Sequence, residues 1–297
     1  MKKKIKILLT GGSGFFGRNI VELLGDKYEI LAPNSKELNL LDTSLVYNFL
    51  KKEKVDIVIH AAAVGVARNE KDNPGIVLDN LKMFFNLVRA KKMYKRMIFL
   101  GSGAEYNKQQ ELKNIRESDF DKSVPEDPYG FYKYVCAKYC EEASFITHLR
   151  LFGVYGKYED YKTRFISNII CKVLLGLPVT MNQDTYFDYL YVNDFVKILG
   201  YFIENEKTKH KFYNIGRGER VSLSSIVHRI LYVLDEEKDI KINKPDLNKE
   251  YTCDISRLKS ELKNIEYTEL DQSLLELIKY YKTILNKLNK KDFLYEW

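Results

Sequence analysis

The strongest constraint on the fold is a glycine-rich segment near the N-terminus, Thr10-Gly-Gly-Ser-Gly-Phe-Phe-Gly17. It follows an apolar run at residues 5–9 that predicts a buried strand, and it leads into an amphipathic helix at 16–24. Glycines let the backbone turn tightly and approach a phosphate, while the N–H groups of the helix start attract an anion. The segment therefore predicts a dinucleotide-binding loop. The residues expected to contact the cofactor there are Gly11, Ser13, Gly14, Phe15, Phe16, Gly17 and Arg18.

Short apolar runs and amphipathic segments continue to alternate through the first half of the chain, as they do in parallel sheets with crossover helices. Strands are predicted at 28–32, 55–59, 97–100 and 148–152, with helices at 80–91 and 128–143. Asp127 can cap the second of these helices, and Pro128 suits its first turn. The pattern predicts an α/β protein with a Rossmann-type, doubly wound parallel sheet.

The rhythm changes after residue 152, where a loop rich in tyrosine and charge precedes a helix at 165–175. Strands at 190–192 and 212–215 are expected to return to the sheet, and helices are expected at 221–233 and 273–288. We therefore predict a dinucleotide-binding domain of residues 1–152 and about 188–218. The remainder, about 153–187 with 219–297, is expected to form a smaller C-terminal α/β substrate lobe across the strand ends.

Composition favours a soluble cytoplasmic protein. Of 297 residues, 45% are hydrophobic and 30% charged, enough apolar material for a full core. No apolar run is long enough for an export signal or a membrane span. The four cysteines lack metal-binding spacing, so free thiols and no metal site are expected. The net charge of 48 − 41 = +7 could attract nucleic acid or a substrate that bears phosphates. The lysines are scattered, however, and their densest group, at residues 279–291, is interpreted as a solvated helix face.

The turn after the second predicted strand bears on the choice of cofactor. A carboxylate there would hold the adenosine ribose and repel a 2′-phosphate. The sequence instead has Asn34, Ser35 and Lys36, with no acid before Glu37. Hydrogen-bond donors and a positive charge suit a 2′-phosphate, and Arg18 could add to them. We therefore expect NADP(H) in preference to NAD(H), although a polar turn that tolerates either cofactor would have the same residues.

Tyr129 and Lys133 are four residues apart on the helix predicted at 128–143, hence on one face of it. A free phenol is a poor proton donor and acceptor at neutral pH, and a neighbouring lysine cation favours its phenolate. Tyrosines are frequent in this segment, so the spacing alone leaves open whether the pair is catalytic or accidental.

Taken together, the segments of the chain resemble the extended short-chain dehydrogenase/reductases, the family of nucleotide-sugar epimerases, dehydratases and ketoreductases. The resemblance depends on the order and spacing of motifs along almost the whole chain. These are Gly11-x-x-Gly14-x-x-Gly17, His60-Ala-Ala-Ala63, Phe99-Leu-Gly-Ser102, Tyr129-x-x-x-Lys133, Arg150-Leu-Phe-Gly-Val-Tyr-Gly156, Tyr191-Val-Asn-Asp194, Asn214-Ile-Gly-Arg-Gly218 and Asp254-Ile-Ser-Arg-Leu258.

The resemblance implies roles for the residues that match the motifs of the family. Tyr129 would exchange a proton with the sugar oxygen, Lys133 would favour its phenolate and hold the nicotinamide ribose, and Ser102 would polarise the reacting carbonyl. The other residues implied at the cofactor are Leu41, Asp42, His60, Ala61, Ala62, Ala63 and Asn80. Without the resemblance, His60 is simply a packed histidine and Ser102 a polar residue after a strand.

Within the family the local likeness is greatest to the GDP-fucose synthase type of 4-keto-sugar reductase. The resemblance implies that epimerisation needs a cysteine where this chain has Ala104, and a histidine near Thr163 or Arg164. Dehydratases of the family need acid–base residues where Gly103 and Ala104 stand, and Glu105 is one residue out of register. Reduction of an NDP-4-keto-sugar, a 6-deoxyhexose or heptose for surface polysaccharide, is therefore the leading expectation.

Two alternatives stay open: a 4-epimerase that recycles bound NAD, and a non-enzymatic dinucleotide-binding or RNA-binding protein. Many relatives hold the diphosphate with an arginine where this chain has Phe187, so Lys162, Arg164 or Arg217 would supply the charge instead. GDP is favoured as the nucleotide by the resemblance alone. Relatives commonly form homodimers through two helices, for which Phe84, Phe85, Tyr134 and Cys140 are available unless they belong to the core.

Overall fold

The computed structural model describes residues 4–65 and 73–293. Six parallel strands form its central sheet, in the order β11-β6-β4-β3-β1-β2. These strands are β1 (Lys6–Thr10), β2 (Glu29–Leu31), β3 (Ile57–His60), β4 (Arg96–Ser102), β6 (Ile146–Leu151) and β11 (Phe212–Ile215). The α/β class and the parallel sheet predicted from the sequence are confirmed.

Helices cover both faces of the sheet, which explains why its central strands are largely apolar. Side chains alternate along a strand, so Ile7 and Leu9 face one side and Leu8 the other. The first side packs against α1 (Phe15–Leu24) and α6 (Val192–Glu204). The second packs against α2 (Thr43–Glu53), α3 (Gly75–Arg89) and α4 (Pro128–Glu142). The apolar pattern did not predict α2 or α6.

A second core forms around α5 (Phe165–Leu174), α7 (Leu223–Leu234) and α9 (Leu270–Thr283). Next to it lies a four-stranded sheet in the order β12-β9-β14-β5. The strands outside the central sheet are β5 (Leu112–Ile115), β7 (Val154–Tyr155), β8 (Val179–Gln183), β9 (Tyr186–Phe187), β10 (Leu190–Tyr191), β12 (Val221–Ser222), β13 (Ile240–Lys244) and β14 (Tyr251–Cys253), and α8 spans Ser256–Glu261.

The prediction that a strand near 190–192 returns to the central sheet is wrong. This segment, β10, pairs with β7 instead, at Leu190 with Val154 and Tyr191 with Tyr155. The physical reason is that β11 pairs with β6 along its length and so takes the edge of the sheet. The prediction that residues 212–215 return to that sheet is confirmed.

Phe84 and Cys140, which were considered for a dimer surface, are core residues. Both are almost completely buried between α3, α4 and the sheet, and Phe84 packs edge-on to Phe99 with ring centroids 5.0 Å apart. Phe85 and Tyr134 are only half-buried. Of the four residues named for a dimer surface, these two therefore retain accessible ring surface.

The strand order reverses between β1 and β3, which are neighbours in the sheet although β2 lies between them in sequence. Ligands of doubly wound folds bind outside the carboxyl ends of the strands at such a switch point. The glycine loop follows β1, and residues 61–65 follow β3. The topology therefore brings these two segments of predicted cofactor residues to the same edge.

Within residues 4–65 and 73–293, no helix is long and apolar enough to cross a membrane. The same residues hold no cluster of histidine, cysteine and carboxylate side chains suited to a metal ion. All four cysteines are buried and free, as expected from their spacing.

Candidate active site

The glycine loop is shaped by close backbone contacts that a side chain would prevent. Gly11 has a φ of +76°, and a Cβ on it would lie 2.7 Å from the backbone nitrogen of Ala62. A Cβ on Gly17 would lie 2.2 Å from the carbonyl oxygen of Gly11. Helix α1 begins after Gly14 with no side-chain cap. Its first N–H groups are therefore available to a phosphate, and the loop fits the pyrophosphate of a dinucleotide.

The remaining side chains of the loop are divided between solvent and core. Ser13 is exposed, whereas Phe15 and Phe16 are half-buried. Phe16 packs edge-on against Phe195 of α6, with 5.2 Å between ring centroids. This contact fixes the start of α1 relative to the neighbouring helix on the same face of the sheet.

His60 has a structural role at the end of β3 and does not expose its ring to a cofactor. Its Nδ1 lies 2.8 Å from the Thr10 hydroxyl, and its ring stacks on Phe99 at 5.7 Å. Burial lowers the pKa of His60 to about 3, so the ring is neutral. The cofactor contact that the resemblance implies for His60 stays a prediction. What His60 and Thr10 hold in place is the backbone of Ala61, Ala62 and Ala63, since the Thr10 hydroxyl also accepts from the Ala62 N–H at 3.3 Å.

Asn80 likewise acts on the backbone beside the cofactor edge. Its Oδ1 accepts the Val64 N–H at 3.0 Å, and its Nδ2 donates to the carbonyls of Val64 at 3.0 Å and Ile76 at 2.7 Å. The side chain is buried, and both amide hydrogens are used. Asn80 therefore anchors the segment after β3.

The turn after β2 contains both a positive and a negative charge. The side chain of Asn34 accepts the backbone N–H of Lys36 at 2.9 Å, while Ser35 and Lys36 are exposed. Glu37 turns back, and its Oε2 accepts the Asn34 N–H at 2.8 Å. By residue order Glu37 follows the turn, which is why no acid is expected there from the sequence. The structure returns its carboxylate to the same place, which weakens the electrostatic preference for a 2′-phosphate.

Two further predicted cofactor residues have contacts of their own. Asp42 caps α2 by accepting the Leu45 N–H at 2.9 Å, next to the half-buried Leu41. The Arg18 guanidinium lies 3.6 Å above the ring of Tyr158. A cation over a ring face is attracted by the ring quadrupole, so this contact draws Arg18 towards residue 158 rather than towards the turn after β2.

Ser102, Tyr129 and Lys133 come together at the carboxyl end of β4. Asp127 caps α4 by accepting the Gly130 N–H at 3.0 Å, as predicted. One turn further on, the Lys133 ammonium donates to the Leu100 carbonyl of β4 at 2.6 Å, with 5% of the residue exposed. Ser102 ends β4, and its Oγ accepts the Ala104 N–H at 3.1 Å. The half-buried Tyr129 lies on the turn of α4 preceding Lys133.

Glu105, one residue out of register for a dehydratase acid, holds the backbone of Ser102. It is fully buried, where its Oε1 accepts the Ser102 N–H at 2.9 Å and lies 3.1 Å from Nε2 of His148. Its Oε2 accepts from Nε of Arg150 at 2.9 Å. The two basic side chains and the Ser102 N–H lower the pKa of Glu105 despite its burial. The carboxylate is therefore charged, and it stabilises the turn beneath Ser102.

The candidate phosphate-binding cations differ in how far they are already engaged. Lys162 forms an ion pair with Asp292 at 3.1 Å. Arg217 donates to the Thr268 carbonyl at 2.6 Å and pairs with Glu219 at 2.7 Å. Arg164 is exposed at the start of α5, with no capping hydrogen bond from its side chain.

Phe187, at the position where the resemblance implies an arginine, is part of an aromatic group. Phe187 stacks on Tyr189 with ring centroids 5.3 Å apart and lies 5.3 Å from Tyr251. Tyr251 in turn packs at 4.9 Å against Phe152, at the end of β6. The sequence analysis did not single out Tyr251, because its strand has only three residues and no alternating pattern. The fold alone places this tyrosine beside Ser102 and Gly103.

Comparison with known proteins decides the family. Residues 7–216 match the sequence model of the NAD dependent epimerase/dehydratase family. The chain belongs to this family. It is 26% identical over 277 residues to the GDP-L-colitose synthase of Yersinia pseudotuberculosis. The alignment covers 80% of this chain and 87% of that protein.

Solved structures confirm the fold. The UDP-glucose 4-epimerase of Thermotoga maritima, solved with UDP-glucose, superposes with a TM-score of 0.81 at 22% identity, covering 94% of this chain and 99% of that one. The GDP-mannoheptose C4 reductase of Campylobacter jejuni, with NADP bound, gives 0.79 at 19% identity, covering 95% and 99%. The protein described here is thus an enzyme of the NAD dependent epimerase/dehydratase family, with a nicotinamide dinucleotide as its cofactor.

Proposed function

We propose that this enzyme reduces the C4 keto group of a nucleotide-diphosphate-linked 4-keto-sugar, with NADPH as the hydride donor. The supporting observation is the arrangement of Ser102, Tyr129 and Lys133 at one end of β4, together with the absence of any acid or base at positions 103 and 104. Ala104 is buried, and the carboxylate of Glu105, the next residue, is held by Arg150 and His148.

The proposed roles follow from the hydrogen bonds already made. Ser102 accepts from Ala104 N–H, so its hydroxyl hydrogen is free to donate to the keto oxygen and polarise the carbonyl. Tyr129 gives its proton to that oxygen as the carbonyl carbon is reduced. Lys133 has three hydrogens, of which Leu100 takes one. The other two are suited to the hydroxyls of the nicotinamide ribose, and its charge stabilises the phenolate left on Tyr129.

When bound, the cofactor supplies the hydride; the chain supplies position and protons. Gly11, Gly14 and Gly17 leave room for the pyrophosphate against the start of α1. Lys36 is the proposed contact of a 2′-phosphate. Of the three candidate cations, Arg164 is the proposed contact of the sugar-nucleotide diphosphate, since Lys162 and Arg217 each have an ion-pair partner.

GDP is the proposed nucleotide, and a 6-deoxyhexose or heptose the proposed sugar. The support is the likeness to the GDP-L-colitose synthase, whose name identifies a GDP-sugar as its product. Such products would serve the synthesis of surface polysaccharide in the cytoplasm. We keep the division into a cofactor domain and a substrate lobe, and a homodimer, as parts of the proposal; exposed Leu78 on α3 and Phe131 on α4 favour contact through these helices.

The test is oxidation of NADPH, followed at 340 nm, with a panel of GDP- and dTDP-4-keto-sugars freshly made by 4,6-dehydratases. We expect turnover with at least one sugar, and a loss of about 10²–10⁴-fold in Tyr129→Phe. Tyr134→Phe is the matched control, because Tyr134 lies on the same helix and bonds to Asp121 on its exposed side. A panel with no NADPH oxidation, or equal activity in both variants, would refute the proposal.

A second candidate is a 4-epimerase that retains NAD, and the carboxylate of Glu37 at the turn after β2 favours it. Epimerisation at C4 requires only Ser102, Tyr129 and Lys133, all of which are present. Denaturing the purified protein and identifying the released nucleotide separates the two candidates. Stoichiometric NAD would support the epimerase, whereas an empty protein that binds NADPH would support the reductase.

A further inference from the structure

Tyr251 is a buried aromatic side chain that the proposed mechanism does not yet use. Its strand, β14, lies between β9 and β5, and Tyr251 is paired with Leu112 on one side and Phe187 on the other. The ring packs against Phe152 and Phe187, with centroids 4.9 and 5.3 Å away. Contacts on two sides therefore fix the direction in which the phenol extends.

The hydroxyl end of Tyr251 lies against the backbone of the catalytic turn. A Cβ built on Gly103 would be 2.4 Å from the Tyr251 Oη and 2.7 Å from the Phe152 ring. Any residue other than glycine at position 103 would therefore displace the phenol. The space in which dehydratases of this family are expected to carry an acid is occupied here by a tyrosine hydroxyl from another part of the chain.

The environment keeps this phenol protonated. Burial raises the pKa of Tyr251 strongly, and the nearby Tyr129 raises it further. The Ser102 side chain, next to Gly103 in the same turn, has a smaller, opposite effect on that pKa. At neutral pH Tyr251 is thus a neutral hydroxyl that can donate one hydrogen bond.

We propose that Tyr251 is a positioning residue for Ser102, donating its hydroxyl hydrogen to Ser102 Oγ while substrate is bound. A serine oxygen accepts two hydrogen bonds and donates one. With the Ala104 N–H and the Tyr251 hydroxyl as the two donors, the Ser102 hydrogen has the keto oxygen of the substrate as its acceptor. This inference rests on the proposed reductase function for its kinetic consequence, but the proposed Tyr251–Ser102 hydrogen bond does not depend on that function.

The kinetic test compares Tyr251→Phe, Ser102→Ala and the double variant. Tyr251→Phe keeps the ring and its packing on Phe152 and Phe187, and removes only the hydroxyl. We expect kcat to fall about three- to tenfold, the value of one ordinary hydrogen bond, with the KM for NADPH unchanged. Because Tyr251 acts through Ser102, the same change should have no further effect in the Ser102→Ala background. Equal effects in both backgrounds, or an unchanged kcat, would overturn the inference.

A stability test reports on the contact without any turnover. The urea unfolding constants of the wild type, the two single variants and the double variant form a double-mutant cycle. We expect the effects of Tyr251→Phe and Ser102→Ala to be non-multiplicative by about three- to tenfold. The matched control is Tyr186→Phe, on the adjacent strand β9, which should combine with Ser102→Ala multiplicatively.

The two arms separate failure of this inference from failure of the proposed function. If the wild type oxidises no NADPH with any keto-sugar, the reductase proposal fails and the stability cycle alone decides about Tyr251. If the wild type is active but the cycle shows no coupling between Tyr251 and Ser102, the positioning role is wrong and the reductase stands. Coupling in the cycle with an unchanged kcat would also overturn the positioning role.

Discussion

Replacing Arg150 by methionine should destabilise this protein severely, because it removes one partner of a buried ion pair and leaves the other. Arg150 and Glu105 are both fully buried, with Nε and Oε2 2.9 Å apart. Methionine fills much of the volume of the arginine side chain, so the main change is electrostatic. Breaking such a pair from one side typically costs about 3–5 kcal/mol in the free energy of unfolding.

This cost is large compared with the total stability of an ordinary domain, about 5–15 kcal/mol. Proteins of this size lose roughly 2–4 °C of melting temperature per kcal/mol, so a decrease of about 10 °C is expected. Arg150 also donates to the Tyr106 hydroxyl at 3.1 Å and lies 4.1 Å above the Phe120 ring. Loss of these contacts acts in the same direction.

The defect should depend on pH through His148, the other basic partner of Glu105. In the wild type, burial lowers the pKa of His148, and the charge of Arg150 lowers it further while Glu105 raises it. Removing Arg150 therefore raises the pKa of His148 in the folded state. A raised folded-state pKa gives stabilisation that is present at low pH and lost as the pH rises through it. The Arg150→Met defect should thus become smaller as the pH is lowered.

Urea unfolding followed by circular dichroism measures these differences. Arg116→Met is the matched control, because the Arg116 side chain is 67% exposed and its ion pair with Asp254 is long, at 3.9 Å. We expect its free energy of unfolding to change by no more than about 0.5 kcal/mol. Adding Glu105→Gln to Arg150→Met removes the stranded charge but retains an acceptor for the Ser102 N–H. The double variant should recover at least about 1 kcal/mol. An Arg150→Met protein as stable as the control, or a double variant showing the summed losses, would refute this reasoning.

Three further predictions concern the cofactor loop, the substrate lobe and the choice of cofactor. Gly17→Ala should abolish dinucleotide binding and lower the melting temperature. Gly14→Ala should leave the melting temperature unchanged, because its Cβ would be 3.4 Å from the nearest atom. Calorimetry distinguishes the two variants. Burial raises the pKa of Glu159 to about 7, so ionising it costs stability as the pH rises above about 4.3. Glu159→Gln should therefore be more stable than the wild type by about 3 kcal/mol at pH 8 and equal to it at pH 4, and equal unfolding curves at pH 8 would contradict this. Lys36→Ala should raise the KM for NADPH roughly tenfold and leave that for NADH unchanged; equal changes for both would remove Lys36 from the 2′-phosphate site.

Features carried by neighbouring residues could be predicted from the sequence. The glycine loop, the Asp127 cap and the helical spacing of Tyr129 and Lys133 each depend on a few consecutive positions, and the structure has all three. The predicted strand pairing was wrong for β10, because β11 occupies the sheet edge to which β10 was expected to pair. Local apolarity cannot decide such a competition, since both segments have the pattern of a buried strand.

Contacts between distant residues were beyond the sequence argument. Glu105 and Arg150 are 45 positions apart, and their pairing depends on β4 and β6 being neighbours in the sheet. Glu37 shows the same limit over a shorter distance, because the turn after β2 brings its carboxylate back to Asn34. A reading of residue order alone placed Glu37 outside the cofactor turn and so overstated the case for NADPH.

The glycines around Ser102 show how a residue without a side chain can still determine the structure of a site. In the sequence, Gly103 signifies only that the acid of a dehydratase is missing. In the structure, a Cβ on Gly103 would collide with the hydroxyl of Tyr251, and one on Gly101 would lie 2.1 Å from Nε2 of His148 and 2.4 Å from Oε1 of Glu105. Both glycines thus make room for polar groups from distant segments, one group above the catalytic turn and one below it. Restoring an acid at position 103 would therefore remove the proposed support of Ser102 before it could supply any new chemistry.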